Sequence, residues 1–346
     1  MKTKFNQPIQ KTLWAACLCL IFLLSPCPTF AHLVVPVSRP IPPQTLLLPA
    51  NVGSLEIQQA LDQLPPSGGR VCLPSGTFLI SQPIVLRRDN QTLQGAGETT
   101  VLKLASGANC PVIIMGEAVN SPRHLVKHLC VEEIKIDGNR FFQTRELWHL
   151  SGEGSEIRNN GITIQRVTDS MVQDVTCCRC RSGGLVTTRL VTRLAVQRFT
   201  SYDNQYDGLA CYQTTHSIFK DLYLHDNPGA GISLDLSFNH NCISNAFLLA
   251  NNLGVFMRAS RDNQFYNLTI QNSHHFGVFM AGHLDAAPMT ECVDNSFTNL
   301  IAKNCGGAAF RVNDISCTNN VLIRASITHN QKPGISLARP NLVVLE

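Results

Sequence analysis

A glycine followed by an apolar residue returns along this chain at nearly fixed intervals, at Gly161, Gly184, Gly208, Gly231, Gly254 and Gly277, then at Gly307 and Gly334. The steps are 23, 24, 23, 23, 23, 30 and 27 residues, and five consecutive steps that agree within one residue mark a structural repeat. Every unit has the same grammar. An alternating strand follows the glycine, as in Ile232-Ser233-Leu234-Asp235, Val255-Phe256-Met257-Arg258 and Val278-Phe279-Met280-Ala281. A polar turn leads to a second alternating strand, as in Leu222-Tyr223-Leu224 and Phe247-Leu248-Leu249. That strand closes on a polar pair: Asp203-Asn204, Asp226-Asn227, Asn251-Asn252, Asn272-Ser273.

Strands this short, at period two, rule out helical repeats. The unit is also too short for a propeller blade and lacks the spacing of a leucine-rich repeat. Stacked coils fit, each strand pairing in parallel with its counterpart one coil away at ~4.8 Å. The polar pairs then stack as a ladder that satisfies buried turn backbone, and glycine at the strand entry suits a corner of positive φ. The expected fold is all-β, a right-handed parallel β-helix. Such a solenoid needs capped ends. Ser54 to Leu64 reads as an amphipathic capping helix with Ser54 as N-cap and Glu56 in its first turn, halted by Pro65-Pro66.

The first fifty residues are of another kind. Lys2, Lys4 and Lys11 precede the apolar run Thr12 to Leu24, and Thr29-Phe30-Ala31 offers small residues at a cleavage site, so residues 1–31 read as a signal peptide. Cleavage removes three lysines and no acid, leaving 25 Lys+Arg against 24 Asp+Glu, a net charge of +1. That balance gives no case for a nucleic-acid partner. Residues 32–50, with five prolines, read as an extended lead-in, and residues 51–346 as the solenoid with its cap. The mature protein is expected to be secreted or periplasmic, with no stable membrane insertion once the leader is removed.

Within the solenoid, the stretch Ile57-Gln58-Gln59-Ala60-Leu61 followed by Gly68-Gly69-Arg70-Val71-Cys72-Leu73-Pro74-Ser75-Gly76-Thr77-Phe78 resembles the opening of pectate-lyase-like β-helix proteins. Thr92-Leu93-Gln94-Gly95-Ala96-Gly97 and Ile134-Lys135-Ile136-Asp137-Gly138-Asn139 continue the resemblance. It implies the fold and a polysaccharide partner. It leaves the chemistry open, because that superfamily holds hydrolases, lyases, uronan epimerases and non-catalytic members.

Chemistry is sought on the strand after the glycine, whose second and fourth residues point outward. The fourth positions are Gln165, Thr188, Tyr212, Asp235, Arg258, Ala281 and Arg311; the second are Thr163, Val186, Ala210, Ser233, Phe256, Phe279 and Ala309. Tyr212, Asp235 and Arg258 are thus expected on three successive coils. Removing the proton alpha to a uronate carboxylate needs a cation at the carboxylate and proton donors and acceptors near C5 and the glycosidic oxygen. Arg258, with Arg311, suits the cation; Tyr212 suits the proton transfer, oriented by Asp235; Phe256 and Phe279 suit sugar stacking. The plain alternative is a cross-strand Asp235–Arg258 ion pair, worth under ~1 kcal/mol if exposed. Insertions at Arg140 to Arg158, carrying Trp148, and at Gly282 to Glu291, carrying His283, are candidate walls of a groove.

Known relatives of this fold supply two tests of register. Polygalacturonase-type hydrolysis requires an adjacent Asp pair one coil after Asp207-Gly208, where Gly229-Ala230 stands. Asp235 does not replace that pair, lying roughly 16 Å along from the Asp207 register, beyond the ~5–9.5 Å of paired carboxylates. Alginate epimerases carry Tyr-Gly-Phe-Asp-Pro-His on this face; here Ala210 and Tyr212 stand where the Asp and His would be. A lyase or C5-epimerase acting on an acidic glycan through Tyr212, Asp235 and Arg258 is therefore the first expectation, and a non-catalytic glycan-binding or envelope protein the second.

Fourteen cysteines leave eleven after the signal. Cys177-Cys178-x-Cys180 has no paired CxxC after it, and His124, His128, His274 and His275 lack ligand partners at metal spacing, so no metal and no cofactor is expected, and nothing points to Ca²⁺. Cys292 and Cys317 occupy one column in adjacent coils, a separation compatible with a disulfide.

Overall fold

The computed structural model describes residues 44–145, 157–282, 291–339 and 343–345. In them the chain is a right-handed parallel β-helix, with strand pairings that join each coil to the next. The expected leader lies outside the described residues. Strand Thr45–Leu47 pairs with Gly69–Cys72, so the solenoid begins within the Pro-rich lead-in rather than after it.

One face is a ten-stranded parallel sheet in chain order: β1 (Ile84–Leu86), β2 (Ile113–Met115), β3 (Ile162–Gln165), β4 (Leu185–Arg189), β5 (Leu209–Tyr212), β6 (Ala230–Asp235), β7 (Leu253–Met257), β8 (Val278–Met280), β9 (Phe310–Val312) and β10 (Ile335–Leu337). The rest of each coil is built from longer strands such as Val191–Tyr202, Ile218–His225, Cys242–Leu249 and Gln264–Gln271. These bend midway at Arg198, Asp221, Asn245 and Asn267, each at positive φ. Asp and Asn tolerate that left-handed conformation better than most residues, which accounts for most of the column.

Inside, Phe199, Phe219, Phe265 and Phe297 are fully buried, and the Phe265 and Phe297 rings stack 4.2 Å apart. Each such ring contributes about 1.5–3 kcal/mol relative to exposure. Turn backbone is satisfied by amide ladders. Asn204 Nδ2 donates to Asn227 Oδ1 at 3.0 Å, and Asn227 Nδ2 to Asn251 Oδ1 at 2.9 Å. A second ladder, unforeseen in the sequence, runs Asn241–Asn263–Asn295–Asn320 at 3.2, 2.9 and 3.0 Å.

Three local expectations change. The helix α1 (Ser54–Gln63) is preceded by Gly53 as its N-cap residue, whose amide donates to the Glu56 carboxylate at 2.9 Å; the Ser54 hydroxyl instead accepts from the Ser81 amide at 3.2 Å. The repeating glycines are not at positive φ. Their reason is close approach: a Cβ on Gly184 would lie 2.6 Å from the Gly208 carbonyl oxygen, and one on Gly208 2.9 Å from that of Gly231. Finally, in the long coil after β8 the corner is taken by Ala309 rather than Gly307. Val278 donates to the Ala309 carbonyl at 2.7 Å, and Val278 pairs with Phe310.

Candidate functional site

Strands β5 and β6 pair with Tyr212 opposite Asp235. On β7, Met257 lies opposite Leu234, and the Arg258 amide donates to the Leu234 carbonyl at 2.9 Å. Tyr212, Asp235 and Arg258 therefore share one column on successive coils. Arg258 Nε donates to Asp235 Oδ1 at 3.0 Å and to Oδ2 at 2.9 Å, and Nη2 adds a further bond to Oδ2. The Asp235 side chain is 4% exposed and that of Arg258 15%. Two charges this buried depend on each other, and removing one partner costs about 3–5 kcal/mol. Asp235 holds the guanidinium in a fixed plane, with its central carbon 5.8 Å from the centroid of the Phe256 ring.

Phe256 pairs with Phe279 across β7 and β8, their rings 6.1 Å apart, and Phe276 stacks on Phe279 at 5.1 Å. Arg311 falls elsewhere than expected. It pairs with Phe279, and on its other side with Ser336, so it continues the phenylalanine column and not that of Arg258. The displacement follows from the corner passing to Ala309, which shifts the strand by two residues. The Arg311 guanidinium bonds Ser336 Oγ, and Asn313 Oδ1 at 3.2 Å. Trp148 and His283 lie outside the described residues.

The outward face is not uniformly open. Thr163, Gln165, Thr188 and Ala210 are buried. Gln165 Nε2 donates to the Glu117 carbonyl, and to the Val119 carbonyl at 2.8 Å, so the segment around 117–119 lies across β3. Beside that cover, a small cleft opens over β4 and β5. Val186, Thr188 and Ala210 form part of its lining, together with Arg158, Tyr206, Asp207 and Tyr212.

Asp207 is the residue that sequence reasoning passed over. It precedes the corner glycine Gly208, and its Oδ1 accepts the Ala230 amide at 2.6 Å. Burial pushes its carboxyl up to about 6, against the pull of the Ala230 hydrogen bond and the Arg158 charge. An acid titrating near neutrality beside a phenol and a guanidinium can accept a proton from a bound ligand and return it. The sequence signal was slight: an Asp-Gly pair at the right corner, with no way to see that Arg158, from before β3, reaches it.

Cys292 and Cys317 are both fully buried. The Cys292 amide donates to Cys317 Sγ at 3.3 Å. Among the described residues no group of three or more His, Cys, Asp or Glu side chains converges as a metal set, and no helix is long and apolar enough to cross a membrane.

Known structures share this fold at low identity. The A-module of a mannuronan C-5 epimerase of Azotobacter vinelandii superposes with a TM-score of 0.67 at 17% identity, over 82% of this chain and 75% of its own. An alginate lyase of a Paenibacillus species gives 0.59 at 10%, over 87% and 99%. A hyperthermoactive exopolygalacturonase of Thermotoga maritima gives 0.54 at 11%, over 89% and 93%. No curated protein sequence matches the chain. A family model described as "Periplasmic copper-binding protein (NosD)" matches residues 132–341. The described residues do not fit a Cu(II) centre, which draws on several ligands in one place, since no three or more His, Cys, Asp or Glu side chains converge among them. On a match that spans more than half of its length, the chain belongs to the NosD family.

Proposed function

We propose that the cleft over β4 and β5 and the cationic, aromatic track beside it act on an acidic, uronate-containing polysaccharide outside the cytoplasm by C5-proton chemistry. The observation that carries this reading is one cleft whose lining includes Asp207, titrating near pH 6, Arg158 and, at the far end of β5, Tyr212. A uronate C5 proton is weakly acidic, and its removal sends charge into the adjoining carboxylate, which a guanidinium stabilises. Asp207 is the proton acceptor and Tyr212 the second proton-transfer group. Arg158 and Arg258 serve the carboxylates of neighbouring sugars, Arg258 held by Asp235. Phe256, Phe279 and Arg311 extend the track one coil at a time, at ~4.8 Å per step. Release of the 4-oxygen after proton loss gives a lyase; return of a proton to the opposite face gives an epimerase. Likeness of fold to an epimerase and a lyase of alginate supports the class and not the specific reaction.

A second reading, glycan binding without turnover, draws on the Asp235–Arg258 pair, whose mutual neutralisation leaves that cation less to offer a ligand. Incubation with a panel of uronans, following the absorbance of unsaturated product and the C5 configuration by NMR, separates the two. Turnover by the wild type is expected, with Tyr212→Phe slowed about 10²–10⁴-fold and its far-UV circular dichroism unchanged. Retention on a uronan matrix with no product from the wild type would leave the binding reading.

A further inference from the structure

We infer that Cys292 and Cys317 close a disulfide that ties neighbouring coils at the base of the insertion between β8 and β9. The inference rests on the far end of the sheet and on no part of the cleft. Cys317 Sγ touches both edges of the insertion: it accepts the Cys292 amide at 3.3 Å on one side and meets the Ala281 carbonyl oxygen at 3.6 Å on the other. The two thiols also hydrogen-bond each other. Their offset of 25 residues is that of the Asn295–Asn320 rung a few positions on, where the Asn295 amide donates to Asn320 Oδ1 at 3.2 Å. They are therefore one parallel step apart, ~4.8 Å, inside the ~4.4–6.8 Å between Cα atoms that a disulfide spans.

Both side chains are shut from water, so the bond forms while the coils are still closing. Cys317 as thiolate attacks a sulfur of glutathione disulfide and expels one glutathione thiolate, leaving a mixed disulfide. Cys292 gives up its proton, attacks Cys317 Sγ and expels the second. Two protein thiols are oxidised, one donor disulfide is reduced to two thiols, and the two protons end on those thiols. The competing use of such a pair is as a two-thiolate site for monovalent copper, a soft cation that thiolates select.

The full chain, refolded with glutathione disulfide, is unfolded in denaturant, alkylated without reduction, digested and analysed by mass spectrometry. The peptides containing Cys292 and Cys317 are expected joined, and separated by dithiothreitol. Reduction lowers the unfolding midpoint of the wild type by roughly 5 °C or more. It leaves the midpoint of Cys292→Ser/Cys317→Ser unmoved, close to that of the reduced wild type. Two results overturn the proposal. One is alkylation of both thiols when the unreduced protein is labelled in denaturant. The other is a single Cu(I) bound per chain in competition with a copper chelator, lost in Cys317→Ser, with no linked peptide.

Discussion

Two aspartates on one sheet meet arginines in opposite ways. Asp235 is gripped by the Arg258 guanidinium through bonds of 3.0 and 2.9 Å from Nε and a further one from Nη2. Asp207, one coil earlier, takes a hydrogen bond from the Ala230 backbone and feels the charge of Arg158, yet burial pushes its carboxyl up to about 6. The first acid is spent on holding a cation still. The second keeps a proton equilibrium near neutral pH, which is what proton transfer needs. The contrast separates framework from chemistry at opposite ends of neighbouring strands.

The largest expected effect breaks this contrast at its reactive side. Asp207→Asn keeps an oxygen for the Ala230 amide but cannot take a proton, so turnover of a uronan falls about 10²–10⁴-fold. In the wild type, turnover rises with pH through about 6 as Asp207 ionises; a pH profile flat across that range would remove Asp207 as the acceptor.

Next in size is the framework side. Arg258→Ala strands the buried Asp235 carboxylate and costs about 3–5 kcal/mol in denaturant unfolding. Adding Asp235→Asn to it recovers much of that loss, so the pair is strongly non-additive in a double-mutant cycle. Additive costs would mean that the two side chains act separately. The single Arg258 variant confounds folding with activity and is a poor test of function by itself.

The smallest effect sharpens the difference between the two acids. The folded-state value of Asp207 lies above its unfolded value near 4, so its contribution is fully present below pH 4 and lost as pH rises through about 6. Asp207→Asn is therefore expected to match the wild type in acid and to exceed it at pH 8, by about 1–3 kcal/mol. Chemical denaturation at the two pH values reads this directly, and a variant weaker at pH 8 contradicts it.

The solenoid was legible because its physics repeats. Glycine marks the corners from Gly161 to Gly277, where the carbonyl of the next coil leaves no room for a Cβ, and amides such as Asn204, Asn227 and Asn251 recur where each coil bonds the next. The Tyr212–Asp235–Arg258 column followed from that period alone. Arg311 escaped because the 30-residue step hides a change of corner from glycine to Ala309, and no side-chain pattern marks it. Asp207 escaped for a different reason. Its chemistry comes from its burial in the folded cleft and from the charge of Arg158, which lies ahead of β3, and enclosure is a property of the assembled cleft rather than of any stretch of sequence.

The central claim is that the cleft exchanges a C5 proton. Incubating the protein with polymannuronate or polyguluronate in D₂O and examining the polymer by NMR tests it, since elimination and epimerisation both pass through C5–H cleavage. The account predicts deuterium at C5 or an unsaturated terminus with the wild type, and neither with Asp207→Asn. Polymers that bind the wild-type protein yet emerge with C5–H intact and no unsaturated ends would contradict it.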